Sequence, residues 1–164
     1  MAIRKIVTQG DPVLYKKCRA VTDFNRRLHV LLDDMKDTLA DAQGAGLAAP
    51  QVGILRRVVV IDGGEDEMLE LVNPEILEQS GEQSGPEGCL SVPGKWGMVS
   101  RPNFVRIRAQ DRHGDWFEAE GSELMARCFC HEIEHLDGRL YVEHIDHFLS
   151  DEELEAYYAE EEER

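Results

Sequence analysis

The sequence predicts an α+β fold in which a central helix is surrounded by mostly antiparallel strands, with an amphipathic helix near the N-terminus. Three observations lead to this prediction. Apolar residues recur at helical spacing between Asn25 and Asp41. Short segments with strand-like alternation lie between residues 57 and 120. A second candidate helix follows from Ser122 through His135, a stretch without Pro or Gly.

The first predicted helix covers residues 25–41. Its apolar residues fall on one face of a 3.6-residue repeat, which is the pattern of a helix packed on a core; they are Leu28, Leu31, Leu32, Met35 and Leu39. Gly44 is the predicted stop signal, because glycine adopts the left-handed backbone that ends many helices.

Strands are predicted at residues 57–61 and 70–72, on either side of a turn at Gly63 and Gly64. Residues 105–110 alternate between apolar and polar types, as on a half-buried strand. Residues 112–115 then predict a hairpin turn into a strand at 116–120. Ser122 is the expected N-cap of the second helix.

Length and composition predict one domain with an acidic end. We expect residues 1–149 to form a single catalytic domain and residues 150–164 to form an acidic tail, a helix that frays. The formal charge of −15 argues against direct nucleic-acid binding, which needs Lys and Arg to neutralise phosphates. The sequence shows neither a signal peptide nor a run of eighteen apolar residues, so we expect a cytoplasmic protein that does not bind membranes.

The most informative motif of the second helix is the HExxH sequence at residues 131–135. Helical residues four apart share a face, so His131 and His135 can reach one metal ion. Glu132 can then face a water molecule beside the metal, as amide hydrolysis requires. A catalytic centre of this kind usually needs a third protein ligand.

Three kinds of third ligand are conceivable. The metzincin pattern would place a histidine where this chain has Tyr141, so that pattern fails. A thermolysin-like site would take a glutamate from a later helix, and Glu152, Glu153 and Glu155 lie at workable distances along the chain. The remaining choice is a cysteine.

Among the four cysteines, Cys89 has the most suggestive surroundings, because glycines and prolines at residues 85–93 allow a fixed loop that presents a thiolate. Cys128 shares a helix face with His131, but three successive turns cannot readily converge on one ion. Cys130 points about 100° away from His131. Cys18 is expected to be a small buried hydrophobe.

Three ordered motifs give the chain a close resemblance to the peptide deformylase family. Residues 44–51 (GAGLAAPQ) match its Gly-x-Gly-Leu-Ala-Ala-x-Gln motif, and residues 87–91 (EGCLS) match its second motif. Residues 130–138 (CHEIEHLDG) match the third motif with two departures, Cys130 for the usual Gln and Glu134 for the usual Asp. The resemblance covers residues 3 to about 148 and implies the family's α+β fold.

The resemblance implies hydrolysis of the formyl group on the N-terminal methionine of new polypeptides, with release of formate. It implies that Cys89, His131 and His135 bind Fe(II), with zinc, nickel or cobalt as substitutes. Glu132 would be the general base and acid. The family's oxyanion donors correspond to the side-chain amide of Gln51 and the backbone N–H of Leu90.

The implied partners are N-formylmethionyl peptides, bound in extended form along a strand edge, and transiently the ribosome. Gly46 would let the backbone approach the substrate. Leu124 and Cys128 lie on the helix face of His131 and are candidates for the wall of the methionine pocket. Arg101, shortly after the cysteine loop, is a candidate for the rim of the site.

Overall fold

The computed structural model describes residues 2–64 and 68–163 and has three α-helices and eight strands in these ranges. The helices are α1 (Arg26–Ala42), α2 (Leu124–Leu136) and α3 (Asp151–Glu162). The strands are β1 (Gly46–Ala48), β2 (Val58–Asp62), β3 (Met68–Ser80), β4 (Gln83–Cys89), β5 (Val92–Arg101), β6 (Phe104–Gln110), β7 (Trp116–Ser122) and β8 (Ile145–Leu149). Short 3₁₀ turns cover Pro12–Tyr15, Ala49–Val52 and Tyr141–Glu143.

The strands form two antiparallel sheets. The five-stranded sheet has the order β1-β2-β3-β6-β7, and the three-stranded sheet has the order β4-β5-β8. The α+β class with antiparallel sheets, predicted from the sequence, is therefore confirmed. Within residues 2–64 and 68–163, no helix is both long enough and apolar enough to cross a membrane.

Helix α1 packs its apolar stripe against the five-stranded sheet. The Asn25 side chain accepts a hydrogen bond from the Leu28 N–H and caps the first turn. The helix ends one residue earlier than Gly44 suggested, because Gln43 takes the left-handed conformation with φ 55°. Gly44 has a packing role instead, since an added Cβ would lie 2.8 Å from Cδ1 of Leu90.

Strand β3 is much longer than the segment predicted at residues 70–72. Pro74 interrupts its pattern, and the pairing with β6 shifts register between Val72 and Glu75 and again between Ile76 and Glu78. The pairing is regular between β6 and β7, where the predicted hairpin turn at residues 112–115 joins them. The glycine- and proline-rich segment before Cys89, expected to be a loop, is strand β4.

The start of helix α2 differs from the prediction. Ser122 is the last residue of β7, and Glu123 occupies the N-cap position with φ 55° and no side-chain capping bond. The prediction that Ser122 caps this helix is therefore wrong. The helix is fixed by packing instead, because Ala126, Phe129, Ile133 and Leu136 are buried in the core cluster shared with the five-stranded sheet.

Candidate metal centre and substrate cavity

Helix α2 brings two imidazole nitrogens together. His131 and His135 are four residues apart, so their side chains lie one above the other on the same face. Their Nε2 atoms are 3.2 Å apart, and both residues are buried. Tyr141 stacks on the His131 ring at 5.8 Å between centroids and donates its hydroxyl to the Lys95 carbonyl, which limits how the ring can turn.

Strand β4 ends at Cys89 and brings a thiol to the histidine pair. A register shift between Glu87 and Cys89 pairs Cys89 with Val92 across a two-residue turn. The Cys89 Sγ lies 3.4 Å from Nε2 of His135. The ligand atoms of Cys89, His131 and His135 all lie within 4.8 Å of one another. Two elements distant in sequence therefore supply the three groups.

The three residues fit a divalent metal ion. Two imidazoles and one thiolate around a tetrahedral ion lie about 3.3 Å apart between nitrogens and about 3.6 Å apart between nitrogen and sulfur. The observed distances of 3.2 Å and 3.4 Å are close to these values. Imidazole with thiolate is also a donor set that binds iron, zinc, nickel and cobalt.

The alternative third ligands do not approach this group. The candidate glutamates are exposed residues of α3, and the Glu153 carboxylate accepts a hydrogen bond from the Ser150 N–H. In the described part of the chain, the one cluster of side chains able to hold a metal is Cys89, His131 and His135. The thermolysin-like arrangement with Glu152, Glu153 or Glu155 is therefore wrong.

The remaining cysteines lie outside the cluster. Cys18 and Cys130 are buried in the core. Burial raises the pKa of both thiols to about 11. Cys128 lines the cavity beside the centre, where burial and the Glu132 carboxylate raise its pKa to about 12. Neutral thiols of this kind are poor metal ligands.

Glu132 is buried beside the two histidines, and Gly46 leaves room for it. Its Oε1 atom has no hydrogen-bond partner among the described residues, and the residue helps to line a cavity. Burial raises the pKa of Glu132 to about 7, although the charge of His131 acts in the opposite direction. A Cβ at position 46 would lie 2.6 Å from Oε2 of Glu132, so the backbone of β1 can come this close only as glycine.

Gln51 and Leu90 lie on the cysteine side of the centre. The Oε1 atom of Gln51 accepts from the Ala48 N–H at 2.9 Å, which turns its Nε2 atom toward Ser91 Oγ at 3.1 Å and Cys89 Sγ at 3.6 Å. Leu90 lies in the turn between β4 and β5, and both Gln51 and Leu90 line the cavity. The amide donor therefore has a fixed direction.

A buried ionic cluster supports His131 from behind. Nδ1 of His131 lies 2.7 Å from Oε2 of Glu87. Arg101 donates two hydrogen bonds to the same carboxylate, and Arg127 donates one at 2.9 Å. Burial alone would raise the pKa of Glu87, but the hydrogen bonds from His131 and Arg101 outweigh it and hold the pKa far below its usual range. Glu87 is thus a buried anion that orients the His131 imidazole.

Arg101 is not at the rim of the site, as the sequence suggested. It is 5% exposed, and its Nη1 atom donates to Glu134 at 2.6 Å in addition to its bonds with Glu87. The prediction that Arg101 lies at the rim is therefore wrong, because its guanidinium is buried and donates to the carboxylates of Glu87 and Glu134. Sequence reasoning missed Arg127, although its position four residues before His131 on the same helix face was a usable signal.

A cavity of about 510 Å³ opens next to the centre. Cys89, His131 and Glu132 line it. Leu124 and Cys128, predicted to form a pocket wall, also line it, as do residues that were not predicted, notably Trp96, Arg127 and Tyr158. Leu124 is 68% exposed, which marks the outer end of the cavity.

Fold and site together define a candidate metallohydrolase with an HExxH helix and a cysteine as third ligand. The profile of the polypeptide deformylase family matches residues 3–150. A peptide deformylase from Agathobacter rectalis is 56% identical over 151 residues, covering 92% of this chain and 95% of that protein. The chain therefore belongs to the polypeptide deformylase family, whose members are metal-dependent hydrolases.

Solved structures agree with this assignment. The crystal structure of a peptide deformylase from Legionella pneumophila has a TM-score of 0.85 and 41% identity, and the match covers 99% of each chain. An actinonin-bound peptide deformylase from Acinetobacter baumannii has a TM-score of 0.83 and 34% identity, and the match covers 89% of this chain and 100% of that one.

Proposed function

We propose that this protein removes the formyl group from the N-terminal methionine of newly made polypeptides and releases formate. The observation that supports this most directly is the convergence of Cys89, His131 and His135 near the buried carboxylate of Glu132, next to a cavity that Cys89, His131 and Glu132 line. An enzyme that hydrolyses an amide needs this combination of ligands and a proton-transfer group.

Cys89, His131 and His135 would hold the metal, which makes α2 the central metal-bearing helix of the fold. We propose Fe(II) as the ion, with zinc, nickel and cobalt as substitutes that the same donor set accepts. Such an ion lowers the pKa of a water molecule and withdraws electrons from a carbonyl oxygen.

Glu132 carries out the proton transfer. Its free Oε1 atom takes a proton from water and later delivers one to the departing amine nitrogen. A pKa raised by burial favours both steps, because the carboxyl group can then exchange a proton near neutral pH.

Gln51 Nε2 and the Leu90 backbone N–H donate to the formyl oxygen as it gains negative charge. The bond from the Ala48 N–H holds the Gln51 amide in place before substrate binds. Removing one preorganised donor of this type typically costs about 3–4 kcal/mol of barrier stabilisation.

The peptide is bound along the edge of the five-stranded sheet. Strand β1 is one of the two edge strands of this sheet, and its first residue, Gly46, lines the cavity. An extended peptide can add to such an edge through backbone hydrogen bonds. Leu124 and Cys128 then form the wall against which the methionine side chain packs.

Residues 1–149 act as the single catalytic domain, and residues 150–164 are an acidic tail. We place the reaction in the cytoplasm, where new polypeptides emerge, with transient contact to the ribosome. The formal charge of −15 disfavours direct binding to nucleic acid.

Formate release from formyl-Met-Ala-Ser, measured with protein purified without oxygen and loaded with Fe(II), tests the function. We expect rapid release from the wild type and none from the unformylated peptide. Glu132→Gln should keep the metal and lose about 10²–10⁴-fold in kcat. Absence of release from folded, metal-loaded wild type would overturn the proposal, and full activity of Glu132→Gln would overturn the role of Glu132.

A further inference from the structure

The C-terminal helix reaches the cavity although it lies outside the part of the chain that the family profile matches. That match ends at residue 150, and α3 begins at Asp151. Tyr158, in the middle of α3, lines the same cavity as Leu124, Cys128 and His131. The family motifs therefore do not account for this part of the cavity wall.

Helix α3 is held over the cavity by a few defined contacts. Ser150 follows β8 directly and caps α3 by accepting from the Glu153 N–H at 3.1 Å. The Tyr157 hydroxyl packs at Gly85 of β4, where an added Cβ would lie 3.4 Å from it and 3.3 Å from Arg127 Nη2. Tyr157 thus anchors the helix, and Tyr158 projects next to it, with the two rings 5.7 Å apart.

Core packing does not explain Tyr158. None of the described residues of α3 is buried, and the three core clusters found in residues 2–64 and 68–163 contain no α3 residue. Tyr158 is 47% exposed, so its aromatic surface is available at the cavity wall. A large aromatic side chain in this position has surface to offer to whatever fills the cavity.

The direction of the cavity suggests which part of the substrate meets Tyr158. Cys128 precedes His131 by about one turn, and Leu124 precedes His131 by about two turns. This face of α2 therefore extends for about 10 Å from the candidate metal centre. In a formyl-methionyl peptide the methionine side chain branches next to the reacting amide. A methionine side chain that extends from the centre into this cavity would meet a wall to which Cys128, Leu124 and Tyr158 contribute.

We propose that Tyr158 is a substrate-binding residue whose ring packs against the thioether end of the N-terminal methionine. The proposal rests on the proposed deformylase function and adds a specificity residue to it. Sulfur–aromatic contact is favourable, and methionine side chains commonly make it. Helix α3 is then part of the methionine pocket.

A double-mutant cycle between Tyr158 and the methionine side chain tests this proposal. The dissociation constants of formyl-Met-Ala-Ser and formyl-Ala-Ala-Ser are measured by calorimetry on zinc-loaded Glu132→Gln protein, with and without Tyr158→Ala. We expect Tyr158→Ala to weaken the methionine peptide about three- to tenfold and the alanine peptide less than twofold. In the active enzyme the same change should raise KM and leave kcat within about twofold.

Two further variants separate contact from structure. Tyr158→Phe keeps the ring and should bind the methionine peptide like the parent protein. Tyr15→Ala removes another half-exposed tyrosine, which does not line the cavity, and should change neither peptide. Equal binding by Tyr158→Ala and its parent, or equal losses for both peptides, would overturn the proposal. Because binding is measured without turnover, a wild type that released no formate would refute the proposed function and leave this test valid.

Discussion

The Glu87 carboxylate lies 2.7 Å from Nδ1 of His131, and this contact turns Nε2 of the same ring toward Cys89 and His135. Nδ1 donates when Glu87 is ionised, because a carboxylate can only accept. The two guanidinium groups on Glu87 keep it ionised. The geometry of the candidate metal centre therefore depends on the charges of Glu87, Arg101 and Arg127, which lie outside the group formed by Cys89, His131 and His135.

Replacing Glu87 with Gln should weaken metal binding by about 10–100-fold, because the imidazole loses its charged partner. It should also lower the free energy of unfolding by about 3–5 kcal/mol, since Arg101 and Arg127 remain buried without their anion. Competition with a metal chelator and denaturant unfolding measure the two effects. Glu82→Gln, an exposed change of equal size in the same region, is the control. Unchanged metal affinity in Glu87→Gln would contradict the orienting role.

Gly46→Ala should lower kcat by about 10²-fold or more while the metal is retained. The new Cβ would lie 2.6 Å from Glu132 Oε2, so the carboxylate must leave its position beside the metal centre. Steady-state kinetics and metal content measure the two parts of this expectation. If Gly46 acts through Glu132, adding Gly46→Ala to Glu132→Ala should cost little more. Fully additive losses would show that Gly46 acts elsewhere.

The net charge of −15 should make the enzyme favour basic peptides at low ionic strength. We expect kcat/KM for formyl-Met-Ala-Lys to exceed that for formyl-Met-Ala-Glu by about two- to tenfold at 20 mM salt. At 0.5 M salt this ratio should fall toward one, because salt then screens the interaction between the protein and the peptide charge. A ratio that does not change with salt would point to a local contact rather than to the overall field. The neutral peptide formyl-Met-Ala-Ser, which should respond least to salt, is the control.

Sequence patterns predicted those parts of the fold in which a single element repeats regularly. The apolar residues on one face of α1 are buried, and the apolar residues of β6 are buried at every second position, as their spacing indicates. The length of β3 was underestimated because Pro74 and two register shifts hide its periodicity. Strand β4 was expected to be a loop because glycine and proline are rare inside strands. In each case tertiary pairing, which a local pattern does not contain, determines the structure.

The candidate site likewise has one part that the sequence predicts and another part that only the tertiary structure brings together. Its histidines share one helix, so spacing alone places them together. The cluster around Glu87 joins charges from β4, β5 and α2, and each of them alone has the sequence appearance of a surface charge. The position of Tyr158 in the cavity wall depends on how β8 directs α3, which no local pattern in an acidic tail encodes.

Glu70 on β3 should make stability depend on pH in acid. It accepts from Arg112 in the hairpin turn and pairs with Lys36 on α1, and so ties α1 to the sheet. Burial raises the pKa of Glu70, but the hydrogen bonds from Arg112 and Lys36 outweigh it, so its net pKa is lowered in the folded protein. A lowered pKa stabilises the fold above the unfolded value of about 4.3, and this contribution is lost as the pH falls through the folded pKa.

Glu70→Gln should therefore lower the free energy of unfolding by about 1–3 kcal/mol at pH 7. The difference in free energy of unfolding between wild type and variant should shrink as the pH falls below about 4. At that pH the wild-type carboxylate takes up a proton and becomes neutral, as the Gln side chain is at every pH. Urea unfolding between pH 3 and pH 7 measures both curves. Glu78→Gln removes an exposed partner of Arg106 and should cost less than about 1 kcal/mol at any of these pH values. A Glu70→Gln deficit that stays constant down to pH 3 would contradict this prediction, because the loss would then not depend on protonation of Glu70.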